Sequence, residues 1–128
     1  MSDLNGKMFN FIKSIFSPIP PDEFARRLAK AQLNTFQSVK KRFPTLEKEE
    51  AYEKVIAKRI GYDKLEARAV IEEAKTNSRI FKIPFNLRSI ASVMAKEEYS
   101  KYASRMGGVV ASSDEINQAV DSVIPKEL

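Results

Sequence analysis

The chain of 128 residues contains no cysteine and no histidine. Without cysteine there is no disulfide and no thiol chemistry, which fits a reducing compartment; a cytoplasmic location is the expectation. Without histidine, imidazole acid–base catalysis and Ser-His triads are excluded. The two absences together remove zinc and iron–sulfur sites of the common types. Glycine is scarce too, with 4 residues, and Gly107-Gly108 is an isolated pair rather than a phosphate-cradling loop. No run approaches the roughly 18 apolar residues of a membrane-spanning helix. Near the N-terminus Lys13 interrupts the apolar stretch and no small-residue cleavage site follows, so no secretory leader is expected. Adjacent acids occur at Glu49-Glu50, Glu72-Glu73 and Glu97-Glu98. Helical neighbours diverge by about 100°, so these are not ready-made carboxylate pairs. No repeat with a period of about 20–50 residues is evident. The expectation is a protein that is not an enzyme and needs no cofactor or metal.

What is present is enough for one domain. A chain of this length buries roughly two-thirds of its unfolded surface, and 43% hydrophobic residues supply the core. The net charge is +5 and the pI about 9.5. Residues 1–64 carry 13 Lys/Arg against 8 Asp/Glu, whereas residues 65–128 carry nine of each. Within the second half, residues 75–105 are basic and residues 106–128 acidic. Such basicity is compatible with nucleic acid or an anionic membrane as partner.

The pattern predicts an all-α domain, a compact bundle of five or six helices around a central helical hairpin. Residues 1–20 form an amphipathic helix and a Pro-rich linker, and residues 21–128 the helical domain. In the first segment Met8, Phe11, Ile12, Ile15 and Phe16 recur at helical spacing, Phe9 widens that face, and Lys7, Asn10, Lys13 and Ser14 lie opposite. Three readings fit: a helix packed on the domain, a membrane-surface helix, or an arm that binds a partner or dimerises. Ser17-Pro18-Ile19-Pro20-Pro21 ends it.

Pro21 suits the first helical position and Asp22 and Glu23 suit the first turn, so a helix is predicted from there to about Phe43. On a wheel Phe24, Leu28, Ala31, Thr35, Phe36 and Val39 share an apolar arc, with Leu33 outside it as a second contact. Arg26, Arg27, Lys30 and Lys41 share another arc, with Asn34 and Gln37 among them. That arc is the candidate site for nucleic acid or an acidic partner, against the commoner case of a solvated helix face.

The hairpin is read from Thr45 to Ala74. Thr45 is the predicted cap, and Glu47, Glu49 and Glu50 suit the first turn. Tyr52, Val55, Ile56 and Ile60 form the apolar face, and Gly61 stops the helix. Asp63 and Glu66 make a capping box, after which Ala67, Val70, Ile71 and Ala74 face inward. Thr76-Asn77-Ser78 reads as the helix end. Ile80 to Phe85 reads as an extended linker pinned to the core by Phe81, Ile83 and Phe85, because Pro84 cannot continue a helix. Asn86 caps a helix from Leu87 to Met106, with Leu87, Ile90, Ala91 and Met94 leading a buried stripe that Tyr99, Tyr102, Ala103 and Met106 continue. The two tyrosines interleave with basic residues, as on a single-strand-binding surface, or edge the core with their hydroxyls in water. Gly107-Gly108 ends this helix. Ser112 and Glu115 box the last one, lined by Ile116, Ala119, Val120 and Val123 and closed by Pro125. The acidic C-terminus either docks on a basic helix or frays.

Two family likenesses fall on the hairpin. Ile56-Ala57-Lys58-Arg59-Ile60-Gly61-Tyr62 resembles the first helix and turn of a bacterial helix-turn-helix, with Ala57 four residues before Gly61 and Val70 at an apolar position of the second helix. The second helix would then offer Glu66, Glu72 and Glu73 against Arg68 and Lys75, an acidic face for a groove lined with phosphates. Phe43-Pro44 and the two following helices also resemble a CUE-type ubiquitin-binding bundle, with Arg42 in place of the family's Met and Val70-Ile71 in place of its closing Leu-Leu. Each likeness covers less than about a third of the chain, and neither carries functional residues over. The functional expectation is therefore a small non-catalytic interaction or adaptor protein with a protein partner of unknown identity. The alternatives are nucleic-acid binding through the basic helix faces and membrane association through residues 8–16; homo-oligomerisation is compatible with all three.

Overall fold

A proline begins the first helix. A computed structural model of the chain describes residues 18–107 and 109–128, and in it Pro20 is the extended N-cap and Pro21 the first residue of α1 (Pro21–Arg42). α2 (Lys48–Ala57), α3 (Lys64–Phe81), α4 (Leu87–Met106) and α5 (Ser113–Asp121) follow. The described residues are 72% helical and include no strand. None of these helices is long and apolar enough to cross a membrane. α1 packs on α2, α2 on α3, α3 on α4 and α4 back on α1, so four helices close a ring; α5 packs on α1 and α4. α1 and α4 run antiparallel, since Phe24 stacks on Tyr99 and Tyr102 while Gln32 reaches Met94. The core comes from all five helices, including Leu28, Phe36, Tyr52, Ile56, Ile71, Ile90, Met94 and Val120.

The start of α2 differs from expectation. Thr45 does not cap it: Phe43-Pro44-Thr45-Leu46 closes a turn in which the Leu46 N–H donates to the Phe43 carbonyl at 3.2 Å. Pro44 sits at the turn position its fixed φ favours, and the N-cap passes to Glu47, which makes no side-chain cap bond. The end differs as well. α2 stops at Ala57, and a turn through Gly61 at φ +95° leaves Ile60 almost fully exposed instead of on the apolar face. That turn brings Arg59 and Tyr62 to Glu98 of α4: Arg59 donates to both carboxylate oxygens at 2.6 and 2.8 Å, and the Tyr62 hydroxyl donates at 3.3 Å. Asp63 caps α3, accepting the Glu66 N–H at 2.8 Å, but Glu66 makes no return bond, so only half of the predicted box forms.

α3 runs through Thr76-Asn77-Ser78 and ends only at Phe81. Low-propensity residues cost a few tenths of a kcal/mol each, which packing overrides. The real limit is Pro84, which bars the residue before it from helical geometry. Lys82 therefore turns left-handed (φ 54°), and the Ile83 N–H closes back on the Ser78 carbonyl at 3.1 Å. Of the predicted pins only Phe85 packs on the core, edge-on to Tyr52 at 5.5 Å; Phe81 and Ile83 are exposed. In α1 the buried face is centred nearer Ala25, Ala29 and Gln32 than predicted, and Ala31 is exposed. Leu33 packs on the core as the second contact.

α4 keeps its predicted bounds. Asn86 accepts the Ser89 N–H at 3.2 Å and Ser89 accepts the Asn86 N–H, a complete box, and Gly107 ends the helix at φ +72°. Met106 is exposed rather than buried. The Tyr99 hydroxyl is buried rather than in water and has no partner among the described residues, and the half-buried Tyr102 accepts the Ile19 N–H at 2.6 Å. Ser112 caps α5, accepting the Glu115 N–H. The C-terminal residues dock. Ile124 is buried, Arg88 donates to the Ile124 and Asp121 carbonyls, Asn86 Nδ2 donates to the Lys126 carbonyl at 3.0 Å, and the Tyr52 hydroxyl donates to the Leu128 carbonyl.

Asn86 thus ties a helix start to the chain end. Replacing it with Ala is expected to lower stability by about 1–2 kcal/mol, the usual worth of a cap. Asn86→Asp keeps the cap acceptor, loses the bond to Lys126 and should fall between the two. Urea-unfolding midpoints of the three proteins check this.

Candidate interaction surfaces

Charge on α2 is sorted by direction. Glu49 and Glu53 face α3, where Arg68 lies 3.5 and 3.7 Å from them and also approaches Glu72 at 3.4 Å. Lys75 bonds Glu49 as well. Lys54 and Lys58 face the other way. Lys54 Nζ lies 4.9 Å from the centre of the Phe43 ring, and Arg42 approaches that ring at 5.6 Å. Lys58 shares a small cleft with Ala31 and Thr35 of α1. The Lys75 ammonium bonded to Glu49, reinforced by Arg68, holds that carboxyl below its ordinary value despite partial desolvation.

The predicted basic arc is on the surface. Arg26, Arg27, Lys30 and Lys41 are all exposed. Arg26 pairs with Asp22 at 3.0 Å and Arg27 with Glu23 at 2.6 Å, both one turn back along α1. Exposed pairs of this kind contribute only a few tenths of a kcal/mol, so both guanidiniums stay available. Among the described residues no carboxylate lies within salt-bridge distance of Lys30 or Lys41. The basic residues of 75–105 are partly engaged. Lys75, Arg88 and Lys101 are engaged by Glu49, Asp121 and Glu97. Lys96 is half-buried, and desolvation pushes its ammonium down against the opposing pull of Glu73 and Asp114. The predicted arm, Met8, Phe11, Ile12, Ile15 and Phe16, lies outside the described residues.

Two apolar features escaped the sequence reading. The corner between α3 and α4 exposes Ile80, Phe81 and Ile83 at 65, 67 and 49%, with Arg79 and Lys82 beside them also exposed. A groove of about 500 Å³ runs between the second half of α4 and the chain leading into α5, lined by Tyr99, Ala103, Val109, Val110 and Ile116, with Lys96 at its edge. A β-branched and aromatic run flanking a proline was the available signal for the corner. It indicated apolar residues there but not which way they would turn.

Of the adjacent acids, Glu98 is taken by Arg59 and Tyr62 and Glu97 pairs with Lys101 at 3.5 Å. Among the described residues no cluster of acidic residues has the arrangement of a metal site. The fold defines the class, an all-α five-helix domain with exposed surfaces of two chemistries. No family model, characterised protein or solved structure matches the chain.

The lowered Glu49 value has a pH signature. A folded value below the unfolded one stabilises the fold above the unfolded value, and the gain is lost as pH falls through the folded one. Glu49→Gln should therefore be slightly less stable than the parent at neutral pH. The difference should close as pH drops below the ordinary carboxyl value of 4.5. Urea midpoints of both proteins measured across that range test it.

Proposed function

We propose that the chain is a non-catalytic helical interaction domain that docks a protein partner on the corner formed by Ile80, Phe81 and Ile83. One observation carries this reading: three large apolar side chains stand exposed and adjacent in sequence, on a backbone held to keep them there. Single exposed hydrophobes are ordinary, but contiguous ones mark contact sites. The backbone adds weight. Lys82 occupies a left-handed conformation that costs a residue with a side chain about 1 kcal/mol or more relative to glycine. A position selected for helix termination alone favours glycine. Lysine there places a cation among the apolar groups, next to Arg79, and so favours a partner segment that is apolar with acidic flanks.

The double variant Phe81→Asp/Ile83→Asp changes exposed groups only and should leave stability within about 0.5 kcal/mol. Proteins captured by the parent from a lysate of its own cells should be lost by this variant. An unchanged set of captured proteins would sink the reading. Lys82→Gly should raise the urea midpoint, by the equivalent of about 1 kcal/mol, through relief of the backbone strain.

A further inference from the structure

Between Glu23 and Glu47 the chain contains no acidic residue and six basic ones: Arg26, Arg27, Lys30, Lys40, Lys41 and Arg42. All lie on α1, which is buried on one side against three helices; five of them are exposed, and the half-buried Lys40 donates to the Leu46 carbonyl. α2 runs back along α1 and adds Lys54 beside Phe43 and Lys58 beside Ala31 and Thr35. The acids of α2 that could offset them are turned to α3 and neutralised by Arg68 and Lys75. Only the exposed Glu50 sits one turn from Lys54, and no carboxylate among the described residues lies within salt-bridge distance of Lys30, Lys41, Arg42, Lys54 or Lys58. Like charges on both banks of one seam repel, and a polyanion laid along the seam relieves that repulsion.

The shape of the seam selects among polyanions. From Lys30 to Arg42 it extends about 18 Å along the helix, at 1.5 Å per residue. The helix is packed against three neighbours rather than standing free as a groove-entering recognition helix does. At one end stands Phe43, 39% exposed, with Arg42 and Lys54 both within 6 Å of its ring centre. A 39% exposed aromatic flanked by two cations offers apolar ring surface for an unpaired base and charges for its phosphates. We propose that the α1–α2 seam binds single-stranded nucleic acid, with phosphates along Lys30, Lys41, Arg42, Lys54 and Lys58 and one base stacked on Phe43. This surface shares no residue with the apolar corner and stands or falls independently of it.

The test is fluorescence anisotropy with a labelled oligothymidylate of about twelve nucleotides, from about 50 to 300 mM salt, beside a duplex of equal length and phosphatidylserine vesicles. The expected log–log salt slope is about −2 to −4, or some 0.7 for each of three to five phosphates. Lys54→Glu/Lys58→Glu should weaken binding at least about tenfold and flatten the slope by about 1.4, and Lys30→Glu/Lys41→Glu should do the same from the other bank. Phe43→Ala should weaken it at least about fivefold with the slope unchanged, and Phe43→Tyr should retain affinity. Circular-dichroism melts of each variant establish that it is folded, and the two reversal pairs provide independent readouts. Absence of binding at about 50 mM salt overturns the proposal. So does binding that survives both charge reversals. Preference for the duplex or the vesicles, indifferent to Phe43→Ala, assigns the surface to those partners and overturns it equally.

Discussion

Four parts of the chain meet at one buried phenol. Tyr52 is fully buried. It lies against Phe36 of α1 at 6.0 Å and Phe85 of the α3–α4 turn at 5.5 Å, and its hydroxyl donates to the carbonyl of Leu128. Its helix, α2, has only ten residues. An isolated helix of that length is marginal in water, so α2 exists because this side chain and its neighbours are packed. The dependence runs both ways. The aromatic contacts fix α1 and the α3–α4 turn relative to each other, and the phenolic bond holds the final residues on the body. Each of these contacts links positions far apart in sequence, so the ring of helices closes as one unit.

The same closure decides what faces outward. The ring buries one face of each helix, and two of its corners carry exposed aromatic side chains, Phe43 at one and Phe81 at the other. At the α1–α2 corner the turn through Pro44 consumes the residues that would have capped α2 and presents Phe43 to two cations. At the α3–α4 corner the limit set by Pro84 lets α3 run on and turns Ile80 and Phe81 outward. In each case a proline fixes the geometry and the neighbouring side chains take on the chemistry.

The helix boundaries readable in the sequence were those marked by local chemistry. Pro21, Asn86, Gly107 and Ser112 act through bonds or dihedrals within three or four residues of themselves, so their roles follow from neighbours in the chain. What could not be read depends on partners elsewhere. Ile60 has helical spacing but is turned out by a loop whose purpose is to carry Arg59 to Glu98. Gln32 looks like a surface residue and is buried with its amide 3.2 Å from the Met94 sulfur. The basic arc of α1 was legible because one helix carries it. Its extension to Lys54 and Lys58 was not, since that requires knowing which flank of α1 receives α2. The apolar corner was misassigned for a related reason: composition says that Phe81 and Ile83 are hydrophobic, and only packing says whether any core reaches them.

α4 has a mechanical aspect as well. Near its first turn, Asn86 and Arg88 hold the segment that ends in Leu128. Near its last turns, Tyr102 holds the backbone of Ile19. Sixteen residues of helix separate Asn86 from Tyr102, about 24 Å at 1.5 Å per residue. The two ends of the described chain are thus moored at opposite poles of one strut, and tension applied between them would load that strut lengthwise.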